Sequence, residues 1–473
     1  MLGHRHAVGA LATVGALLIL AACSGQDPVG GGGDPVGGPE RSAPSRTASA
    51  AASPTPAPAS SPPAADQPLV IAVHHTSRLH DISPRRAGRI AAGRTGLDVA
   101  QGPARDALRT VVRNPDRVAV VPAGALRGHV RALSVGGVDP LRRSDAYPLR
   151  TPGLGEPGPV VRLTVVGDVM LGRGVEAAAS GSGDPSLALR PMARRLAAAD
   201  IAVGNLENTL SRAGAPRQGD DSFAADPAVV SGLRDAGFDV LGMANNHAGD
   251  FGERALVETV RRLRAGGLRT FGAGATVRQA WRPAVVERHG VRFGFLGFNA
   301  IGETPVVAPG RPGAVSVGMP PRTGPLDEAA LRRFEREVRR LARTVDVVTV
   351  LPHWGTQYTN RPEPVQHVVA RRLVAAGADV VVGGHPHWLQ GVRMVRGRPV
   401  FHSLGNFVFD MDFMRRTMEG AVLELTFWGE RLKGVELVPY VMDDWFAPRV
   451  VRGTHAEEVL APLRETSGAA FGP

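Results

Sequence analysis

From residue 160 onward, short runs of valine, isoleucine and leucine alternate with longer stretches whose apolar residues recur at helical spacing. This alternation restricts the chain to a mostly α/β layered architecture. Strands are predicted over 160–166, 201–203, 239–241, 284–287, 291–296, 346–351 and 379–382. Helices are predicted between them, over 187–198, 226–236, 251–265, 326–343 and 364–376. The remainder is richer in strands, at 392–395, 399–402, 421–427 and 432–439, and no internal repeat is present.

The residues before this region have a different character. His4, Arg5 and His6 precede an apolar run from Ala7 to Leu20 that ends in Leu20-Ala21-Ala22-Cys23. The run falls short of the roughly 20 apolar residues a membrane-spanning helix needs, and small residues follow it. Residues 1–23 therefore read as a signal peptide. A cysteine placed directly after small residues resembles the bacterial lipobox, so lipidation of Cys23 and an extracytoplasmic, lipid-anchored location are expected. Cys23 is the only cysteine, which excludes an intramolecular disulfide. Residues 24–66 collapse to Gly, Pro, Ala and Ser and read as a disordered tether.

Residues 67–150 predict a small α/β unit, with strands at 69–73 and 118–121 and helices at 84–92 and 102–112. It carries 14 arginines against 6 aspartates, so it holds most of the chain's net charge of +11. Its Ile82-Ser83-Pro84, Val120-Val121-Pro122-Ala123 and Gly136-Gly137-Val138-Asp139-Pro140 segments resemble part of a phosphate-type periplasmic binding protein. A packing or positioning module is the reading favoured for this unit. Residues 151–159 form a linker and 444–473 a C-terminal extension. The basic excess is arginine, with Lys433 the only lysine. It lacks interleaved aromatics on a chain expected to be exported, which argues against a nucleic-acid partner.

Five predicted strands each end in residues able to ligate a metal or donate a proton. They are Gly167-Asp168, Gly204-Asn205-Leu206-Glu207, Asn245-Asn246-His247 with Asp250, His353-Trp354-Gly355, and Gly384-His385-Pro386-His387. In α/β sheets that edge is where sites form. Carboxylate oxygens with imidazole nitrogens suit a divalent transition metal such as Mn, Fe or Zn. In an extended His-x-His segment both rings point the same way, which predicts that His385 and His387 converge.

These five motifs, in this order, resemble those of the CapA family of poly-γ-glutamate capsule-synthesis proteins, and Ser403-Leu404-Gly405-Asn406-Phe407 resembles a further signature of that family. The resemblance spans about 160–443. It implies a metallophosphoesterase-like layered αββα sandwich and a metal-dependent hydrolase or transferase acting on a capsule or cell-surface polymer. The alternative it leaves is a non-catalytic factor that binds or exports such a polymer.

Carried over by position, Asp168, Glu207, Asn246, His353, His385 and His387 would line a centre of one or two metal ions, with His247 facing substrate. Arg173 would pair with a phosphate or a glutamate carboxylate. The partners implied are an anionic polymer or phosphoester substrate, the membrane through the lipid anchor, and a capsule-synthesis membrane complex. Met170 stands where the wider phosphoesterases have a histidine ligand, and a thioether is a poor ligand for a hard metal. Asp250 is expected to cap the helix that follows it. Trp354, Tyr358 and Trp388 are expected to serve the core rather than wall a pocket.

Overall fold

The computed structural model describes residues 66–153 and 158–472. The predicted signal peptide, Cys23 and nearly all of the tether lie outside the described residues.

The arginine-rich unit is built on β1 (Gln67–Val73), α1 (Pro84–Ala91), β2 (Val99–Ala100), α2 (Ala104–Arg113), β3 (Val118–Pro122), β4 (Arg131–Ala132) and β5 (Arg150–Thr151). Its sheet has the order β2-β3-β1-β4, with β5 also pairing with β1. Helix α1 starts where Ser83 accepts from the Arg86 amide and Pro84 supplies a preset φ. Val70, Ile71, Ala107, Leu108, Val111, Val121 and Tyr147 are buried together, with Trp428 from the larger region completing the cluster.

The larger region contains β6 (Val160–Val169), α3 (Arg173–Ser182), α4 (Arg190–Ala197), β7 (Ile201–Leu206), α5 (Val229–Asp235), β8 (Val240–Gly242), α6 (Gly252–Ala265), β9 (Arg269–Phe271), β10 (Ala284–Arg288) and β11 (Val291–Asn299). These are followed by α7 (Glu328–Leu341), β12 (Val347–His353), α8 (Pro364–Ala376), β13 (Val380–Val382), β14 (Leu389–Val395), β15 (Arg398–Leu404), β16 (Asn406–Val408), β17 (Glu419–Trp428), β18 (Arg431–Met442), β19 (Pro448–Val450) and α9 (Gly453–Glu465).

One sheet runs β9-β8-β7-β6-β17-β18-β19 with β16 added on β6, and the other runs β10-β11-β12-β13-β15-β14. Strands β6 to β9 pair in parallel, as do β11, β12, β13 and β15. Strands buried on both faces read as unbroken apolar runs rather than as alternations, and β12 and β13 are buried at every residue.

The inner faces of the two sheets share one core, in which Leu163 and Val165 of the first cluster with Phe293, Phe295 and Phe401 of the second. Outside the first sheet, Leu256, Val260 and Leu263 of α6 are buried against Val166 and Leu241. Outside the second, Phe334 and Val338 of α7 and Val369 and Leu373 of α8 cover Val348 and Val381.

Three helices among the described residues, one of them a short turn at Val277–Ala280, were not expected from the sequence. Helix α3 contains Gly174 and Gly181, and α9 contains Pro462, residues that disfavour helix interiors. Packing prevails in α9, whose Val459, Leu460 and Leu463 enter the core between the sheets together with Phe471. No helix among the described residues is long and apolar enough to cross a membrane.

The arginine-rich unit is joined to the larger region by polar contacts placed at apolar edges. Glu424 on β17 is buried and takes Arg142 at 2.5 Å and Arg195 from α4. The single lysine, Lys433, donates to the Gly124 carbonyl at 2.6 Å, and the Trp428 indole N–H donates to the Leu141 carbonyl at 3.0 Å.

Candidate metal centre

The polar motifs assemble at the carboxyl ends of parallel strands. Asp168 lies inside the last turn of the β6 ladder, since β6 extends to Val169, beyond the predicted end at 166. Glu207 directly follows β7, the Asn245-Asn246-His247 segment follows β8, His353 ends β12, and His385 and His387 follow β13. Two glycines allow this convergence. A Cβ on Gly384 would sit 2.6 Å from Asp168 Oδ1, and one on Gly167 would sit 1.9 Å from the Gly405 carbonyl oxygen.

The His-x-His segment is not extended, which corrects the expected geometry. His385 has φ 93° and His387 φ 59°, both left-handed, and the segment bends between β13 and β14. The bend brings the two ring centroids to 5.7 Å and places His385 5.0 Å from the His353 ring. Left-handed backbone at non-glycine residues costs of order 1–3 kcal/mol each and persists where the surroundings enforce it.

Asp168, Glu207 and His387 are fully buried, and each offers a ligand atom within 4.8 Å of the others. His353 Nε2 lies 3.0 Å from Glu207 Oε1 and 2.8 Å from Asn246 Oδ1, so a second group of donors adjoins the first through Glu207. Asn205 ties the two together. Its amide donates to Asp168 Oδ1 at 2.8 Å and Glu207 Oε1 at 3.0 Å, and lies 3.2 Å from His353 Nδ1. Asn245 in turn donates to Asn205 Oδ1 at 2.9 Å. The His385 backbone N–H donates to Asp168 Oδ2 at 3.0 Å.

The polar accounting of this region does not close with protein atoms. Glu207 Oε2, both ring nitrogens of His385, and His387 Nε2 are buried without a hydrogen-bond partner. Burying such atoms unpaired costs about 1–3 kcal/mol each. His387 shows how the unpaired nitrogen is aimed, because its Nδ1 is 2.8 Å from Asn406 Oδ1 and must carry the proton there. Its Nε2 is left as a bare lone pair, the arrangement in which a carbonyl-type oxygen orients a histidine ligand. Two carboxylates, a side-chain amide oxygen and three imidazoles form a donor set that fits a divalent transition metal.

Electrostatics point the same way. Burial pushes the Asp168 carboxyl up to about 6, opposed by its hydrogen bonds from Asn205 and the His385 amide. Glu207 is pushed well above the usual carboxylate range by burial and by the negative charge of Asp168. Burial lowers His387 to about 4 and holds His353 and His385 well below the ordinary histidine value. The imidazoles are thus neutral and free to ligate, while the two acids repel each other without a cation between them.

His247 is buried beside this group. Its Nδ1 lies 2.9 Å from Asp250 Oδ2, and its ring lies against Phe223 at 4.1 Å. Asp250 is therefore an orienting group and not the helix cap the sequence suggested. The N-cap position of α6 is Phe251, which makes no side-chain cap, and Asp250 instead also accepts from the Phe223 amide at 2.7 Å and from Gln218 at 2.5 Å.

Arg173 lies one layer further out, its guanidinium 4.4 Å from the Phe223 ring centroid and paired with Asp410 through two hydrogen bonds. An anion reaching Arg173 would compete with Asp410.

Met170 is buried in the apolar cluster behind the site, and its sulfur accepts from the Gly172 amide at 3.1 Å. Trp354 is fully buried and donates to the His402 carbonyl at 3.1 Å, as a core residue. Tyr358 is half-buried and stacks on His387 at 6.0 Å, so it borders the site.

Reading the sequence by motif singled out ligands and passed over the residues that hold them. Asn205, Asn245, Asn406, Phe223 and Asp410 belong to the site. Of these, Asn205, Asn245 and Asn406 stood inside motifs already marked, and for the first two a second polar residue within two positions of each ligand was the available signal. Phe223 and Asp410 lie in loops with no such pattern.

The family described as bacterial capsule synthesis protein PGA_cap matches residues 162–411, a little over half of the chain. The chain is 31% identical over 267 residues to the capsule biosynthesis protein CapA of Bacillus anthracis, covering 55% of this chain and 62% of that one. It is 32% identical over 271 residues to the PGA biosynthesis protein CapA of Bacillus subtilis, covering 56% and 67% respectively. A probable polyglutamine synthesis accessory protein of Mycobacterium tuberculosis is 29% identical over 292 residues, covering 54% and 75%. The chain thus spans about three-fifths to three-quarters of the length of these relatives. The family match includes every residue of the site, from Asp168 to Asp410, and excludes the arginine-rich unit and α9.

Proposed function

Since the chain belongs to the bacterial capsule synthesis protein family, that of the CapA proteins of poly-γ-glutamate capsule synthesis, we propose that its metallophosphoesterase-like domain is a metal-dependent hydrolase or transferase. Its substrate on this reading is poly-γ-glutamate or a related cell-surface polymer. The observation that carries the reading is the set of buried, unpartnered donor atoms on Glu207, His385 and His387 beside Asp168.

Asp168, Glu207 and His387 would hold one ion, and Glu207, Asn246, His353 and His385 a second, the metal being Mn, Fe or Zn. A bound metal supplies Lewis acidity toward a phosphoryl or amide oxygen and lowers the pKa of water. The protein's own part is positional. Asn205 and Asn406 fix the ligand orientations, Phe223 holds the His247 ring, and Asp250 keeps its Nδ1 engaged so that Nε2 faces the reacting groups as proton donor or acceptor.

A second reading, a non-catalytic factor that binds the polymer in the same pocket, is favoured by Met170. Its thioether is buried in the core, at the position where the wider phosphoesterases that the family resembles have a histidine ligand. Turnover of a phosphoester or γ-glutamyl probe by the metal-loaded protein separates the two.

The metal reading has a pH signature. Protons on Asp168 and Glu207 compete with the ion. Asp168 is protonated below about 6 in the metal-free fold, whereas His387 stays neutral down to about 4. Glu207, held well above the usual carboxylate range, competes at higher pH still, so affinity for Mn(II) should fall throughout the descent from pH 7.5 to 5, by about tenfold per unit for each competing proton. Calorimetric titration measures this, and an affinity unchanged between pH 7.5 and 5 would count against the site.

We also propose export and anchorage through lipidated Cys23, which places the site outside the membrane within reach of a capsule-synthesis complex. Cys23→Ser should move the protein from the membrane to the soluble fraction or block its processing. Unchanged fractionation and processing would rule the anchor out.

A further inference from the structure

A strongly basic cleft lies where the arginine-rich unit meets the edge of the second sheet. A cavity of about 910 Å³ is lined by Arg109 and Arg113 of α2, Arg371 of α8, and Arg393 and Arg396 at the β14–β15 hairpin, with no acidic residue in its wall. Arg113, Arg371, Arg393 and Arg396 make no ion pair or hydrogen bond among the described residues, and Arg109 pairs only with exposed Asp106 at 3.5 Å. All five arginines are exposed, so their charges are open to solvent and to an incoming ligand.

Like charges gathered in one cleft repel, and the pKa of His367 in the same wall is lowered by burial first and then by the charges of Arg393 and Arg371. Such a cleft gains stability from an anion.

A single small anion needs one or two guanidinium groups, so the five guanidinium groups that line this one cleft form a basic track that matches a chain with charges at intervals. The hairpin end of the cleft lies away from the metal centre. The hairpin at Arg396 stands at the far end of β14 from His387, seven strand residues or roughly 20 Å away at about 3.3 Å per residue.

We propose that this track binds a linear polycarboxylate, the class that includes poly-γ-glutamate, and serves as an anchoring site separate from the metal centre. The choice of an acidic polymer rests on the reading given above; the cleft itself does not.

The test uses the purified full chain and a fluorescent oligo-γ-glutamate of about ten residues, roughly 33 Å or more when extended at about 3.3 Å or more per unit. Anisotropy at fixed ionic strength should show that Arg371→Gln with Arg393→Gln weakens binding by about tenfold or more, as expected when two charge-assisted contacts are lost. The double variant should keep the wild-type thermal transition, because neither side chain has a partner to lose, and it should keep the wild-type metal content. A His385→Ala, His387→Ala variant, which gives up whatever polymer the metal centre holds, should lose less binding than the arginine variant.

Three results would overturn the proposal. The arginine variant could bind like wild type. The histidine variant alone could lose binding, which would put the polymer at the metal centre and leave the proposed function intact. Polyphosphate of equal charge could bind while oligo-γ-glutamate does not. Failure of the proposed function is read separately, from metal content and probe turnover.

Discussion

Alanine at His387 is expected to lower affinity for a divalent transition metal by at least about 100-fold, more than the roughly 10–100-fold typical of losing a group that merely orients a ligand. His387 Nε2 is buried and unpartnered, its tautomer is fixed by Asn406, and its ring stands beside Asp168. Removing it takes away a neutral nitrogen donor and leaves two carboxylates to be neutralised by protons.

Asn406→Ala should give the smaller loss of about 10–100-fold, because Asn406 touches His387 and not the ion. Asn406 also donates to the Thr417 carbonyl at 3.0 Å, so some stability is lost with it. Elemental analysis of dialysed protein and calorimetric titration read both variants. Equal metal content in wild type and His387→Ala would remove His387 from the site, and a larger loss at Asn406 than at His387 would reverse their roles.

On the catalytic reading, His247→Ala should reduce turnover by about 10²–10⁴, the usual contribution of a positioned general acid or base. It should leave metal content unchanged, since all the proposed ligands remain in place. Asp250→Asn tests the coupling. It weakens the partner of His247 Nδ1 while preserving the contact with the Phe223 amide, so turnover should fall by less than in His247→Ala and its pH profile should shift. Wild-type turnover in folded, metal-loaded His247→Ala would exclude His247 from the chemistry. A profile unmoved by Asp250→Asn would reduce Asp250 to a structural contact.

The α/β class, most strand and helix positions, and the five motifs that meet at one place are legible in the chain before any fold is drawn. The reason is local: parallel strands buried on both faces must be unbroken apolar runs, so 346–351 and 379–382 stand out, and so do the polar residues that end such runs. The same logic marks Asp168, Glu207 and Asn246 at the edge of one sheet and His353, His385 and His387 at the edge of the other, while the packing of the two sheets decides that the two groups meet.

The rest came from contacts between residues far apart in the chain. The bent His385-Pro386-His387 segment depends on left-handed backbone that its neighbours enforce. Asp250 was indistinguishable from a helix cap until Phe223 and His247 were seen to converge on it. Asn406 acts on a residue 19 positions away and Asp410 on one 237 positions away. Helix α9 carries an internal proline that argues against it locally, and burial of Val459, Leu460 and Leu463 outweighs that preference. The basic track depends in the same way on long-range packing, since arginines of α2, α8 and the β14–β15 hairpin share one cleft only after the arginine-rich unit has docked, and no spacing in the chain encodes that meeting.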